Sequence, residues 1–278
     1  MNSNLAEMKT AIVIITLNPN SEQVQELSSF LESQGLTFKL EKGVDGRKSF
    51  PNLEKDEYVD QKKSLKMQQV KLTQSEVGCY LSHFRTIKKA YNENLDQVCI
   101  LEDDVLIEPD FKKVLSLVEK LPDEFEQVRL MGLKRHKRKN VCEISTSHRL
   151  VRPVKGLCGS QGYVLNRRGM KKILQYGGII SEPIDKFYDH FWEIDLKSYC
   201  IEPHVIWERP IIKSSIIKSS IIKASRSEAT KPIGKLLKKH IAKLQRGLKR
   251  RLYIFKHWND FFPAKKPANA MGRTARIR

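Results

Sequence analysis

Two short, uninterrupted apolar runs constrain this chain more than any other feature. Residues 10–17 (TAIVIITL) and 98–101 (VCIL) carry no charged side chain and are rich in β-branched residues. Strands of that kind are buried on both faces, as in a parallel sheet covered by helices. Helical patterns follow the first run and flank the second. After Asn18-Pro19, Val24, Leu27 and Leu31 recur at helical spacing, and Gly35 stands where a helix ends. Thr73, with Glu76 three residues on, makes a capping-box signature for a helix whose apolar stripe is Val77, Tyr80, Leu81, Phe84, Ile87 and Tyr91. Pro109 starts another, with Phe111, Val114, Leu115 and Val118 facing inward. Further strands are expected at 37–40, 128–131, 162–165 and 198–201, and a helix ends near Tyr176 before Gly177-Gly178. Residues 54–71 read as a polar surface excursion and 134–139 as a basic loop. The alternation predicts an α/β fold, one Rossmann-type nucleotide-binding domain spanning residues 1–210.

Charge is unevenly placed. Of the net +19, residues 211–278 carry +17, with nineteen Lys and Arg against two acids, while residues 1–210 carry only +2. A polyanionic partner is therefore implied for the tail alone, and with no recognition motif in sight no nucleic acid is expected. Residues 211–225 repeat IIKSS, IIKSS and IIKAS, too short a period for a solenoid, so 211–230 reads as a duplicated linker. In 231–278, Ile233, Leu237, Ile241, Leu244, Leu248, Leu252 and Phe255 step by three or four with basic residues between them. That is a basic amphipathic helical tail, and residues 231–262 fit an anionic membrane surface. The five cysteines are odd in number and widely spaced, which argues against a disulfide framework or a C-x-x-C zinc site; Cys79 and Cys158 are expected to be packing residues. A reducing compartment fits this usage. There is no signal-peptide pattern, and residues 11–17 are too short to span a bilayer, so a cytoplasmic location is expected.

The second apolar run leads straight into Glu102-Asp103-Asp104. In an extended segment Glu102 and Asp104 share a face and Asp103 points away. Their mutual repulsion is relieved by a divalent cation with oxygen ligands, Mg²⁺ or Mn²⁺, of the kind that holds phosphates. Ligands of α/β sheets bind beyond the carboxyl ends of strands, where this triplet lies. A solvated acidic loop capping the next helix is the alternative reading. Asp45 follows the second strand, as a ribose- or base-binding acid does, or forms a plain Asp-Gly turn; Arg47 faces phosphate or solvent.

Residues 72–85 (LTQSEVGCYLSHFR) followed by 99–105 (CILEDDV) resemble glycosyltransferase family 25, which includes bacterial lipooligosaccharide galactosyltransferases and collagen galactosyltransferases. VDGR at 44–47, GYVLNRRG at 162–169 and PID at 183–185 extend the resemblance over roughly residues 9–210. It implies a GT-A-like fold, a nucleotide-sugar donor, typically UDP-galactose, and Mn²⁺ or Mg²⁺ at a D-x-D-type position. That position reads Glu102-x-Asp104 here, with Asp104 a metal ligand, Glu102 a ligand or a ribose contact, and a late His204 completing the shell. Donor contacts are expected at Thr16, Asn18, Asp45, Arg47, Ser82, His83, Arg85, Glu102 and Asp103. The P-x-D element offers Asp185 as general base, with Asp189 as rival and Glu193 behind it. Gly159, Ser160 and Gln161 line an acceptor pocket or form a turn. The implied activity is transfer of a hexose to lipooligosaccharide with inversion, to a β linkage, on the inner face of the bacterial inner membrane.

Overall fold

The first apolar run folds as β1 (Thr10–Thr16), and its alternation divides it between two layers. Ile12 and Ile14 face one apolar cluster, Val13 and Ile15 the other. The chain continues through α1 (Glu22–Ser33), β2 (Phe38–Lys42), β3 (Tyr58–Val59), α2 (Gln61–Gln68), α3 (Gln74–Asn92), β4 (Gln97–Glu102) and β5 (Val105–Ile107). Then come α4 (Phe111–Val118), β6 (Gln127–Arg129), β7 (Arg138–Glu143), β8 (Arg149–Pro153), β9 (Gly162–Asn166) and α5 (Arg167–Gly177). The last elements are β10 (Ile179–Ile180), α6 (Ile184–Asp189), β11 (Ser198–Glu202), β12 (Ile206–Glu208), α7 (Ile233–Lys256) and α8 (Trp258–Phe261). The computed structural model describes residues 10–134, 136–209 and 233–267, with side chains from residue 241 in the last stretch. The repeat-containing linker expected at 211–230, the end of the tail at 268–278, and the side chains of Ile233 and Leu237 lie outside the described residues.

Eight strands form one sheet in the order β2-β1-β4-β9-β6-β11-β8-β7. β1 runs parallel to β2 and β4, and β6 to β11. β9 is antiparallel to β4 and β6, and β8 to β11 and β7. The sheet is thus mixed. Every residue of β9 is buried, so it reads like a parallel strand although it runs the other way. Cover on both faces, not direction, makes a strand uniformly apolar. Leu27 and Leu31 of α1 and Phe111 and Val114 of α4 pack on one face. Tyr80, Leu81 and Phe84 of α3, with Met170 and Ile173 of α5 and Tyr188 of α6, pack on the other.

Local signals worked where side chains act on their own backbone. The capping box forms: Thr73 Oγ1 accepts from Glu76 N at 3.2 Å, and Thr73 N donates to Glu76 Oε2 at 2.9 Å. Residues 54–71, expected as a polar surface excursion, include a helix, α2. That helix buries only Ser64 and is hung by polar hooks: Asp60 caps it, and Gln61 exchanges two hydrogen bonds with the Leu72 backbone at 2.8 and 3.1 Å. No apolar period was there to be read. The basic stretch at 134–139 likewise ends in β7, where Arg138 is buried against Glu202.

The C-terminal helices are not a detached tail. Tyr253, Ile254 and Phe261 pack against Phe191, Ile194 and Leu196. The fully buried Phe261 ring lies 4.8 Å from the Arg152 guanidinium, whose other neighbour, the Tyr199 ring, is 4.6 Å away. Phe261→Ala should therefore cost about 3–5 kcal/mol in chemical denaturation, as ring deletions from cores do. It should also open residues 241–262 to protease. Unchanged stability would return this segment to the status of a loose tail.

Candidate active site

β4 delivers the acidic triplet to the carboxyl end of the sheet, and each acid meets a different environment. Glu102 N donates to Gln161 O at 2.9 Å. Glu102 Oε1 accepts from Ser160 Oγ at 2.6 Å and lies 3.2 Å from His83 Nε2. His83 is buried, with Nδ1 2.9 Å from Tyr163 Oη, which is 2.8 Å from Tyr188 Oη. Burial pushes the Glu102 carboxyl up, but His83 and Ser160 outweigh it and hold the group below its ordinary value. Asp103 turns the other way, accepting from Thr16 Oγ1, which itself accepts from Asn18 N at 3.0 Å. Thr16, Asn18 and Asp103 thus tie the ends of β1 and β4 together.

Asp104 lies in the turn before β5, where its carbonyl accepts from Arg209 N at 2.9 Å. Its side chain is exposed yet ringed by protein. Partial loss of water, then the carboxylates of Glu102, Asp103 and Glu208, push it up to about 7. Glu208 is fixed by Gln161 Nε2 at 2.7 Å. Cys79, expected to be a packing residue, opens into the same region. Surrounding protein and the carboxylates of Glu102, Asp185, Asp104 and Glu76 push its thiol well up, so it is no nucleophile at neutral pH. Asp185, whose charge reaches Cys79 as those of Glu102 and Asp104 do, stands in the first turn of α6, where Pro183 occupies the cap position and no side-chain cap bond forms.

A cavity of about 390 Å³ opens beside α3, lined by Lys42, Asp45, Phe50, Asn52 and Arg85 among others. Its loop is pressed onto the helix. A Cβ on Gly46 would stand 2.1 Å from Gln74 O, and one on Gly78 would stand 2.6 Å from Val44 O, so both positions exclude a side chain. Ser82 Oγ accepts from Val44 N at 2.7 Å and donates to Gly78 O at 2.8 Å. Arg85 grips Glu57 through two nitrogens, at 2.8 and 2.7 Å, and Asn52 O at 2.7 Å. Ser82 and Arg85 therefore shape the cavity, with Ser82 Oγ and the Nε and Nη2 groups of Arg85 engaged by the protein. Asp45 and Arg47 pair at 2.6 Å, which holds the Asp45 carboxyl down at about 2. A larger cavity, about 540 Å³, lies by Gln97 and Arg167, at the opposite end of β4 from the acids.

The family model described as Glycosyltransferase family 25 (LPS biosynthesis protein) matches residues 9–188. The chain belongs to glycosyltransferase family 25. It is 29% identical over 164 residues to human procollagen galactosyltransferase 2, covering 49% of this chain and 24% of that protein. It is 30% identical over 111 residues to the lipooligosaccharide biosynthesis protein lic2B of Haemophilus influenzae, covering 37% of this chain and 41% of that one. The chain thus spans from about a quarter to two fifths of the length of these relatives. A solved structure, a glycosyltransferase involved in the glycosylation of the major capsid of PBCV-1, aligns at TM-score 0.31 and 9% identity over 66% of this chain and 68% of that one.

Within this family 25 chain three expectations need correction. Asp189 is not free to act as a base. It is buried, pairs with Arg129 at 3.0 Å, and accepts from Cys158 N at 3.0 Å and Cys158 Sγ at 3.2 Å. Burial raises its carboxyl, but Arg129 and Cys158 outweigh that and hold it below its ordinary value. Second, residues 159–161 follow the turn alternative, with Gly159 and Ser160 buried and Gln161 half-buried. Gly159 O accepts from Arg129, Ser160 holds Glu102, and Gln161 holds Glu208. Third, His204 does not complete a ligand set with Glu102 and Asp104. It is buried beside the Trp207 ring in a recess shared with Arg138 and Glu202.

His204 has a different consequence. Burial, then the nearby Arg138 and Arg129 charges, lower it from 6.5 to about 4. The unfolded chain therefore binds more protons between those values, and stability falls as pH drops through that window. The loss from this residue between pH 7.5 and 5 should be about 2 kcal/mol. His204→Gln should flatten the denaturation profile by that amount, and equal slopes in the two proteins would contradict it.

Glu208, Arg129 and the exposure of Cys79 escaped the sequence reading. Only Cys79 had a signal, for its place beside His83 rather than for its exposure: the two are four apart, and so share one side of α3.

Proposed function

We propose that this chain transfers a hexose, galactose from UDP-galactose in the simplest case, to a sugar hydroxyl of lipooligosaccharide, with inversion, on a GT-A-like scaffold. Family membership and the names of the two relatives support the class of reaction and of acceptor. The single observation that carries the reading is the open Asp104 carboxyl among three other carboxylates at the sheet's carboxyl end. Carboxylate oxygens gathered in this way fit Mn²⁺ or Mg²⁺, which would be held by Asp104 with Glu102. When bound, that ion would neutralise a leaving diphosphate.

The other roles belong to the chain itself. Asp45, ionised throughout the neutral range, accepts a hydrogen bond from the donor's base or ribose in the cavity walled by Arg85, and Arg47 is at hand for phosphate. His83 and Ser160 fix Glu102. Asp189 and Arg129 brace the 156–160 turn behind them. Asp185 takes the proton from the acceptor hydroxyl, on the sugar face opposite the leaving group.

Residues 231–262 hold the enzyme to an anionic membrane surface, on the cytoplasmic face of the bacterial inner membrane. Ile241, Leu244, Leu248, Leu252, Phe255 and Trp258 are exposed along α7 and α8, with Lys243, Arg246, Lys249 and Arg251 among them. An apolar stripe flanked by basic residues suits such a surface, at about 1 kcal/mol per well-placed cation. Among the described residues no helix is long and apolar enough to cross a membrane. No role for nucleic acid enters this scheme.

The deciding experiment screens UDP-sugars against truncated lipooligosaccharide, with and without Mn²⁺ or Mg²⁺, by mass spectrometry. A hexose increment that needs both donor and ion is expected; no increment with any donor defeats the proposal. Leu248→Glu with Phe255→Glu should abolish binding to anionic liposomes while sparing transfer to a soluble acceptor. Undiminished liposome binding would remove the membrane role.

A further inference from the structure

We propose that Cys79, His83 and Glu102 form a binding site for a thiophilic divalent cation, of the zinc class, which adjoins the oxygen site at Asp104 and shares Glu102 with it. Among the described residues, these three are the grouping of His, Cys, Asp and Glu side chains whose ligand atoms all lie within 4.8 Å of one another. Tetrahedral zinc, with bonds of about 2.0–2.3 Å to nitrogen, oxygen and sulfur, needs its ligands about 3.3–3.8 Å apart. His83 Nε2 and Glu102 Oε1 already stand 3.2 Å apart, so closing the set asks only for the Cys79 sulfur to approach them, from no more than 4.8 Å.

The supports are in place. Cys79 and His83 are four residues apart on α3, the spacing at which two helical side chains chelate one metal. That helix is capped and packed into the core. The second nitrogen of His83 is occupied by Tyr163, which Tyr188 holds in turn, so the histidine presents Nε2 toward Glu102. Cys79 is exposed, which gives an ion a way in, and the carboxylates of Asp185, Asp104 and Glu76 add attraction. Sulfur and imidazole select zinc, cobalt or cadmium over Mg²⁺ and Mn²⁺, which prefer oxygen. Three protein ligands leave the fourth position to water. On binding, the thiol proton is released to solvent and the thiolate bonds the metal.

One consequence rests on the proposed transfer activity: because Glu102 is shared, zinc should inhibit sugar transfer. Binding itself does not depend on that reading. The test is titration of the full chain with Co²⁺, read by the near-ultraviolet thiolate-to-cobalt band, followed by displacement with Zn²⁺. One cobalt per chain is expected. Cys79→Ala should lose the band and bind zinc at least about tenfold more weakly, whereas Cys142→Ala, at the other exposed cysteine, should match the wild type. His83→Gln should weaken binding while keeping the chain folded by circular dichroism. A missing band in the wild type, or an intact one in Cys79→Ala, overturns the site. Cys79 takes no part in the transfer scheme, so Cys79→Ala should keep its basal rate and lose zinc inhibition. A wild-type chain that shows the band but transfers no sugar keeps this site and defeats only the transfer reading.

Discussion

Asp104→Asn should cut sugar transfer by about a thousandfold or more and leave the protein at least as stable as before. The first half follows from position. Asp104 is the open carboxyl of the group and, in the proposed scheme, a cation ligand facing the leaving diphosphate; losing both roles costs several kcal/mol of barrier, about 4 for a thousandfold. The second half follows from its environment. Its carboxyl stands at about 7 against an ordinary 3.8. An acid raised on folding makes the native state bind more protons than the unfolded chain between those values. Its penalty is absent below the lower value, grows as pH rises, and is complete above the upper one. Asparagine, of the same shape and uncharged, removes that penalty. The variant's melting temperature should thus equal or exceed the wild type's at pH 8, with any advantage fading toward pH 4. Steady-state kinetics with a UDP-sugar and Mn²⁺, beside melting curves at the two pH values, read both halves. Normal turnover, or a variant that melts lower at pH 8, refutes the assignment.

How much of this was legible beforehand depends on the range of each interaction. Interactions spanning a few residues were readable, because periodicity and capping are local. Thr73 with Glu76, the stripe from Val77 to Ile87, and Gly35 after α1 all fold as their spacing demands. So did the site's central element, an apolar strand ending in acids. Direction and partnership were not readable. Nothing in GYVLN tells that β9 runs antiparallel between β4 and β6, because a doubly covered strand looks the same either way. The acids show the same limit. Pleating predicts that Asp103 diverges from its neighbours, which it does, but not that its partner would be Thr16, 87 residues away. Arg129 and Asp189 are 60 residues apart, and nothing local in either says that the two pair. His204 misled for the converse reason: a histidine after a last strand suits a metal shell by position, but here the fold turns it into a recess.

The two aspartates of α6 should part company under mutation, and the contrast tests the site more sharply than either change alone. Asp185→Asn should lower kcat by about a thousandfold, within the span for losing a general base, and leave the melting temperature unchanged. Its carboxylate makes no cap bond, and its one ion pair, with Lys186, is a loose 3.9 Å. Asp189→Ala should instead cost about 3–5 kcal/mol of stability, because it leaves Arg129 buried without its carboxylate and frees the Cys158 amide that Asp189 accepts from. Whatever activity Asp189→Ala loses should come with a loosened 156–160 turn, so that Glu102 no longer meets Ser160. Two measurements separate the roles: the pH profile of kcat, whose acidic limb should vanish in Asp185→Asn, and the denaturation midpoint, which should fall in Asp189→Ala alone. If Asp189→Ala proved as stable as the wild type and inactive, Asp189 would be the base after all. Arg129 would then be the group that tunes it, and the turn it grips would belong to the acceptor rather than to the scaffold.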